Sequence, residues 1–312
     1  MKNLCLAVAL MMSSQIAFAS PTVVYGSDNR KDVYLSTNAA HKKLAQSTAA
    51  MIAGNSFIRS AKENFFNVES QTLEVAQNVC PAERFSQQPA AASCSGFLVG
   101  EDTIVTAGHC YRFADPDQIC KGFAWVFDFN MKSASSQPNK EIPLSNIYLC
   151  KKVVSATLNS SHDFAIIKLD RKVVGREPLK FRTSGKAADA TKLVVIGNPT
   201  GLPTKITDGG KILNNIDANT FLTNLDTFQG NSGSAVFDAT TGMIEGILIE
   251  GKTDYLPSQY SNPNSCMVVN KCDENGKNCT VKPTFGRPEP AGEKVYRITN
   301  IAAQLQAAIK AK

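Results

Sequence analysis

Beyond Cys94 the apolar residues come in short runs, each closed by glycine, proline, asparagine, aspartate or a charge. Such runs are too short for packed helices and suit β-strands buried on at least one face. The pattern predicts strands at 95–99 and 103–106, joined as a hairpin through Gly100-Glu101-Asp102. Further strands are expected at 123–129, 147–154 and 164–169. After a polar stretch at 172–186, others are expected at 192–196, 221–225, 235–237, 243–249 and 294–298. Residues 302–309, rich in Ala, Leu and Gln, carry helical spacing. Many short strands and one terminal helix describe an all-β molecule, a barrel or a sandwich.

Residues 20–75 read differently. A short extended run at 22–25 leads into Gly26-Ser27-Asp28-Asn29-Arg30. The stretch 39–75 then spaces Leu44, Met51, Ile52, Phe57, Ile58, Phe65 and Phe66 loosely, as a helix would. This segment is expected to be an N-terminal arm, a propeptide or an insertion, with the main domain at 76–312. Within that domain, 76–170 forms one half, 171–186 a link, and 187–312 the second half with the helix. At 43% hydrophobic and 19% charged residues, the chain has enough apolar content to fold.

The compartment follows from residues 1–19. Lys2, the apolar run 4–12 and Ala17-Phe18-Ala19 before Ser20 form a Sec-type leader, so a secreted or periplasmic protein is expected. No later run approaches the roughly 18 apolar residues of a membrane span, so no membrane insertion is expected. With Cys5 in the leader, Cys80, Cys94, Cys110, Cys120, Cys150, Cys266, Cys272 and Cys279 remain. An even set in an exported chain reads as disulfides. A metal site is not expected, because no Cys-x-x-Cys pair occurs and the histidines number three. Net charge is +6 with no basic stripe, which argues against a nucleic-acid surface.

Three motifs carry chemistry, in the order His, Asp, Ser. Thr106-Ala107-Gly108-His109-Cys110 follows an apolar strand, Asp163 opens the run Phe164 to Leu169, and Gly230-Asn231-Ser232-Gly233-Ser234 precedes Ala235-Val236-Phe237. A serine hydroxyl is a weak nucleophile until a neighbouring base takes its proton. Imidazole titrates near neutral pH and suits that task. Taken singly, the glycine-serine run is an ordinary loop and Asp163 an ordinary strand cap. Their joint order excludes the Ser-acid-His order of α/β-hydrolases and the Asp-His-Ser order of subtilisins. His162 competes for the role of base but adjoins Asp163, and is read as a loop residue.

These motifs resemble the trypsin and chymotrypsin family, and within it the bacterial glutamyl-endopeptidase-like branch. Asn231 before the serine, Ser234 after it and the Gly26 to Arg30 run carry that narrower likeness. The resemblance implies two antiparallel β-barrels with the site between them and polypeptide substrates. It assigns His109, Asp163 and Ser232 as the triad that typifies this family, and the backbone N–H groups of Gly230 and Ser232 as the oxyanion hole. It also implies a Cys94–Cys110 disulfide. A second bridge, Cys120–Cys150, is expected within the first half. The remaining four cysteines would form two more bridges, pinning the long insertion at 251–292. No cofactor is expected, and a monomer is.

Specificity is less determined. Asp226, six residues before Ser232, stands where the family's carboxylate binds Arg or Lys; with Thr227 it either lines the pocket or braces the loop. Gly251 is a further pocket candidate. Glutamyl endopeptidases place a histidine where this chain has Leu248, so strict glutamate specificity is not expected. Asn231 cannot form the ion pair with a freed N-terminus that activates trypsin-like zymogens, so any latency needs another device. The rival reading is a catalytically silent binding protein or adhesin on the same fold.

Overall fold

Six antiparallel strands close into a first barrel: β1 (Thr48–Ala53), β2 (Ala92–Gly100), β3 (Thr103–Thr106), β4 (Phe123–Phe127), β5 (Ile147–Leu158) and β6 (Asp163–Leu169). Their order around the barrel is β4-β5-β6-β3-β2-β1, with β1 pairing back onto β4. The computed structural model describes residues 23–111, 115–259, 261–262, 264–280 and 291–311; the expected leader lies outside them. The hairpin expected at 100–102 joins β2 to β3, pairing Phe97 with Val105.

A second barrel follows: β7 (Lys192–Gly197), β8 (Lys205–Asn214), β9 (Thr220–Thr223), β10 (Ala235–Asp238), β11 (Ile244–Glu250) and β12 (Glu293–Arg297). It runs β7-β10-β11-β12-β9-β8 and closes through β7 on β8. The helix Ala302–Lys310 then buries Leu305 and Ala308 on the core that both barrels share. That core joins Phe97, Ile104 and Trp125 of the first barrel to Val194, Ile196 and Phe237 of the second.

The division expected at residue 75 does not hold. Strand β1 is a stave of the first barrel, and Arg30–Asp32 pairs with β8 of the second. The helical spacing expected across 39–75 is helix only at Ala39–Ala45 and Leu73–Gln77. Strand β1 escaped the alternation rule because both its faces are covered. Ala49 and Met51 face the shared core, while Ala50 and Ile52 pack under an outer hairpin with Val68, Phe57 and Phe66. A strand buried on both faces reads as a continuous apolar run. The N-terminal strand is fastened by a buried ion pair, Lys205 Nζ to Asp32 Oδ1 at 2.6 Å, with Gln88 Oε1 as second acceptor at 2.7 Å.

Four disulfides join Cys80 to Cys266, Cys94 to Cys110, Cys120 to Cys150 and Cys272 to Cys279. The expected Cys94–Cys110 and Cys120–Cys150 bridges are both present, and the other two tie the 251–292 insertion to the body and to itself.

If β1 is integral, charge at Met51 must damage the whole domain. Met51→Asp should lower the melting temperature by about 10 °C or more, because an unpaired carboxylate in a barrel core costs several kcal/mol. Met51→Leu should shift it by no more than about 3 °C. Thermal denaturation followed by circular dichroism decides; a dispensable arm would leave both variants like wild type.

Candidate active site

Strand β3 ends at Thr106, and the chain turns at once into a single 3-10 turn, Gly108–Tyr111. A side chain at 108 would collide with the Thr157 carbonyl at 2.0 Å, so glycine lets this turn sit against β5. The Cys94–Cys110 bridge ties the turn to β2. His109 is thereby held from two sides by one carboxylate. Its main-chain N–H donates to Asp163 Oδ1 at 3.0 Å, and its Nδ1 lies 2.9 Å from Asp163 Oδ2. A carboxylate accepts, so Nδ1 carries the proton and Nε2 keeps its lone pair. The sulfurs nearest His109 are spent in the disulfide, so they are not thiolate ligands for a metal.

Ser232 lies on the loop before β10, and with His109 and Asp163 lines one cleft of about 1040 Å³. Ser95 of β2 reaches across to this loop. Its N–H donates to the Ser232 carbonyl at 2.8 Å, and its hydroxyl donates to the Gly230 carbonyl at 2.7 Å while accepting Asn198 N–H. The two N–H groups of interest are aimed by what their peptide partners bind. In a trans peptide, N–H and C=O point in opposite directions. The Gln229 carbonyl accepts from Thr200 N–H, which turns the Gly230 N–H the other way; the Asn231 carbonyl accepts from Ser234 N–H at 2.8 Å, which does the same for Ser232. Among the described residues, neither N–H donates a hydrogen bond within the protein. Gly230 has φ +92°, and a Cβ there would meet the Asn198 carbonyl at 2.6 Å, so the turn requires glycine.

The second histidine of the cleft is otherwise engaged. His162 Nδ1 lies 2.7 Å from the Tyr296 hydroxyl, whose ring stacks on Phe164. Burial pushes that phenol up to about 12.

Asp226 is not in the pocket. It is buried beneath the loop, where its two oxygens accept the main-chain N–H groups of Tyr25 and Asn29, each at 2.7 Å. The loop-bracing alternative is the one observed. Thr227 is also turned inward, its hydroxyl donating to Glu293. Gly251 does line the cleft, and a Cβ there would fall 1.9 Å from Glu293 Oε2. Glu293 was missed in the sequence because it sits just outside the expected strand. Its partners, the Tyr25 hydroxyl at 2.8 Å, Thr227 and Lys252 N–H, come from three distant segments. A lone acid beside an apolar run was its one sequence signal.

Three buried acids therefore crowd below the cleft. Burial pushes Asp226 up to about 7 and Glu293 up to about 8, and raises Asp254 as well, each against the hydrogen bonds it accepts. The folded state holds these protons where the unfolded chain releases them, so the contribution of these acids to stability is greatest in acid and falls as pH rises from about 4 to about 8. Glu293→Gln should flatten that fall. Calorimetric melting at several pH values across this window should show the variant losing less than wild type; an equally steep fall would refute an uncharged Glu293.

Residues 94–247 match the trypsin-like peptidase domain. A solved structure described as a Glu endopeptidase in complex with MPD is similar at 18% identity and TM-score 0.51, over 93% of this chain and 100% of that one. At that identity the likeness is one of fold. The active form of the Rv3671c protease from M. tuberculosis is similar at 16% identity and TM-score 0.46, over 98% and 96% of the two chains. No curated protein sequence matches the chain. The chain therefore carries a trypsin-like peptidase domain at residues 94–247, set on two closed barrels.

Proposed function

We propose that the chain is an exported, monomeric endopeptidase in which His109, Asp163 and Ser232 are the catalytic triad. The observation that carries this reading is the double hold of Asp163 on His109, in the cleft that Ser232 also lines. Ser232 Oγ would attack the substrate carbonyl as His109 Nε2 takes its proton, and Asp163 would steady the imidazolium that forms. The developing oxyanion would meet the N–H groups of Gly230 and Ser232. Collapse expels the amine, protonated by His109, and leaves an acyl-enzyme that water hydrolyses by the same steps in reverse. The sequence supports export through its leader pattern, and the four disulfides fit an oxidising compartment.

Two features bear on specificity. Leu248 is buried with Phe221 and Val295 in the second barrel, where a glutamate-reading histidine is absent. Asp226, with both oxygens on backbone amides, offers no carboxylate for a basic side chain. Neither strict glutamate preference nor a trypsin-style basic preference through Asp226 follows.

A fluorophosphonate probe should label wild type but not Ser232→Ala. His109→Ala should cut kcat by about 10⁴-fold or more, whereas His162→Ala should change it by no more than about threefold. An unlabelled wild type would favour the silent binding protein, and loss of activity in His162→Ala alone would exchange the base. Asp226→Ser should lower thermal stability and leave the ranking of cleaved residues in a peptide library unchanged. A reordered ranking would return Asp226 to the pocket.

A further inference from the structure

Trypsin-like zymogens set their oxyanion loop with an ion pair to the residue before the serine, and this chain cannot. Asn231 stands there, and its side-chain oxygen accepts from the Ser234 hydroxyl at 3.2 Å. Something else must hold residues 226–229, the strip of chain that leads into Gly230. The structure gives each of those four residues its own clamp. Asp226 accepts the N–H groups of Tyr25 and Asn29, and Thr227 donates to Glu293. The Phe228 ring lies under the guanidinium of Arg30, with Cζ 3.8 Å from the ring centroid. Gln229 N–H donates to Asp254 Oδ2 at 3.1 Å. Two of the four clamps come from one short segment, residues 25–30.

We propose that the segment Tyr25 to Arg30 is the brace that sets the oxyanion loop of this enzyme, with Arg30 as its positioning residue. The inference rests on the assignment of Gly230 and Ser232 as the oxyanion donors. Arg30 is 1% exposed, an expensive place for a charge unless it is paired and put to use. Its pair is local: Nε and Nη2 donate to Asp28 at 2.9 and 2.7 Å. Arg84 ties the segment down from outside, donating to the carbonyls of Asp28 and Arg30 at 2.8 and 2.7 Å. The flat guanidinium, oriented by Asp28, is thus a fixed platform for the Phe228 face, an attraction between cation and π-cloud that strengthens when desolvated. Position passes from that ring to the donors through the main chain. The Phe228 carbonyl accepts Asn231 N–H at 2.8 Å, which fixes the residue whose own carbonyl orients the Ser232 N–H. Loss of Arg30 leaves the ring to Val24, Val269 and Tyr255, without its oriented platform, and loosens the aim of both N–H groups. The segment near the N-terminus therefore does not cover the cleft as a latent enzyme's would; removal of residues 25–30 would silence the enzyme rather than activate it.

The test compares wild type, Arg30→Lys, Arg30→Met and the double variant Asp28→Asn with Arg30→Met, each purified as the full exported chain and titrated with a fluorophosphonate. Three quantities are measured: kcat and KM on a peptide amide, the affinity of a peptide aldehyde, and the melting temperature. The aldehyde's hemiacetal oxygen sits where the oxyanion would, so its binding reads the aim of the donors. Arg30→Met should lower kcat by about 10²-fold with KM within about threefold, and weaken the aldehyde in parallel. The double variant, relieved of an Asp28 carboxylate left with Arg84 as its one ion-pair partner, should regain melting temperature without regaining kcat. Arg30→Lys keeps the charge but not the flat stack, and should lose about tenfold in kcat. Wild-type kcat and aldehyde affinity in Arg30→Lys, or in either Met variant once corrected for titrated sites, would overturn the brace and leave the triad standing. A wild type that the probe does not label would overturn the hydrolase reading, and the brace with it.

Discussion

Ser95 is the stitch on which the relation between the two barrels depends. It is wholly buried on β2, and its N–H, hydroxyl and carbonyl are all engaged. Its N–H and hydroxyl donate across to the loop that carries Gly230 and Ser232, the hydroxyl also accepts Asn198 N–H, and the carbonyl accepts the Thr106 hydroxyl at the end of β3. His109 follows three residues after Thr106, and Cys94, next to Ser95, is bonded to Cys110, next to His109. His109 and Ser232 therefore take their places from one shared reference, although their motifs lie more than a hundred residues apart. A buried backbone group must find a partner, so the barrels cannot slide here without leaving several polar groups unpaired.

Much of this was legible in the sequence. The short apolar runs located the barrel strands after Cys94 except Lys205–Asn214, whose apolar residues are broken up by glycines and charges, and the three motifs named His109, Asp163 and Ser232, which line one cleft. What was not legible has physical causes. Strand β1 shows no alternation because the outer hairpin dries its second face. The spacing between Asp226 and Ser232 placed the carboxylate's backbone near the pocket. Whether the side chain then faces substrate or protein depends on a segment two hundred residues earlier, whose N–H groups of Tyr25 and Asn29 reach it first. Glu293 could not be assigned from its neighbours in sequence because none of its partners are neighbours.

The underside of the cleft shows how one chain keeps several acids out of water. Glu293 and Asp226 escape part of the cost of burial by holding a proton to unusually high pH and by accepting hydrogen bonds from groups with no better partner. Asp28 takes the other course. It stays ionised, held below the usual carboxylate range by Arg30 and Arg84 against the pull of burial. The division is consistent: the acids that meet only neutral donors hold their protons to higher pH, and the acid that meets guanidinium groups gives its proton up at lower pH. Asp28 thus pairs both with Arg30, beneath Phe228, and with Arg84.

The disulfides give this arrangement its permanence. The pairing that holds the segment, Val24 with Lys271 and Tyr25 with Cys272, is only two residues long, far too short to persist alone in water. It persists because its partner strand cannot leave. Cys272 is bridged to Cys279, which closes a tight loop, and Cys266 is bridged to Cys80, which anchors the insertion to the chain that enters the first barrel. Such bridges act mainly by removing freedom from the unfolded chain. Here they also lower the local cost of pairing, since they restrict the strand at 271–272 on which residues 24–25 pair. The atypical insertion and the unusual N-terminal segment are in this sense one device: the first supplies an edge fixed by oxidation, and the second uses that edge to reach under the Ser232 loop.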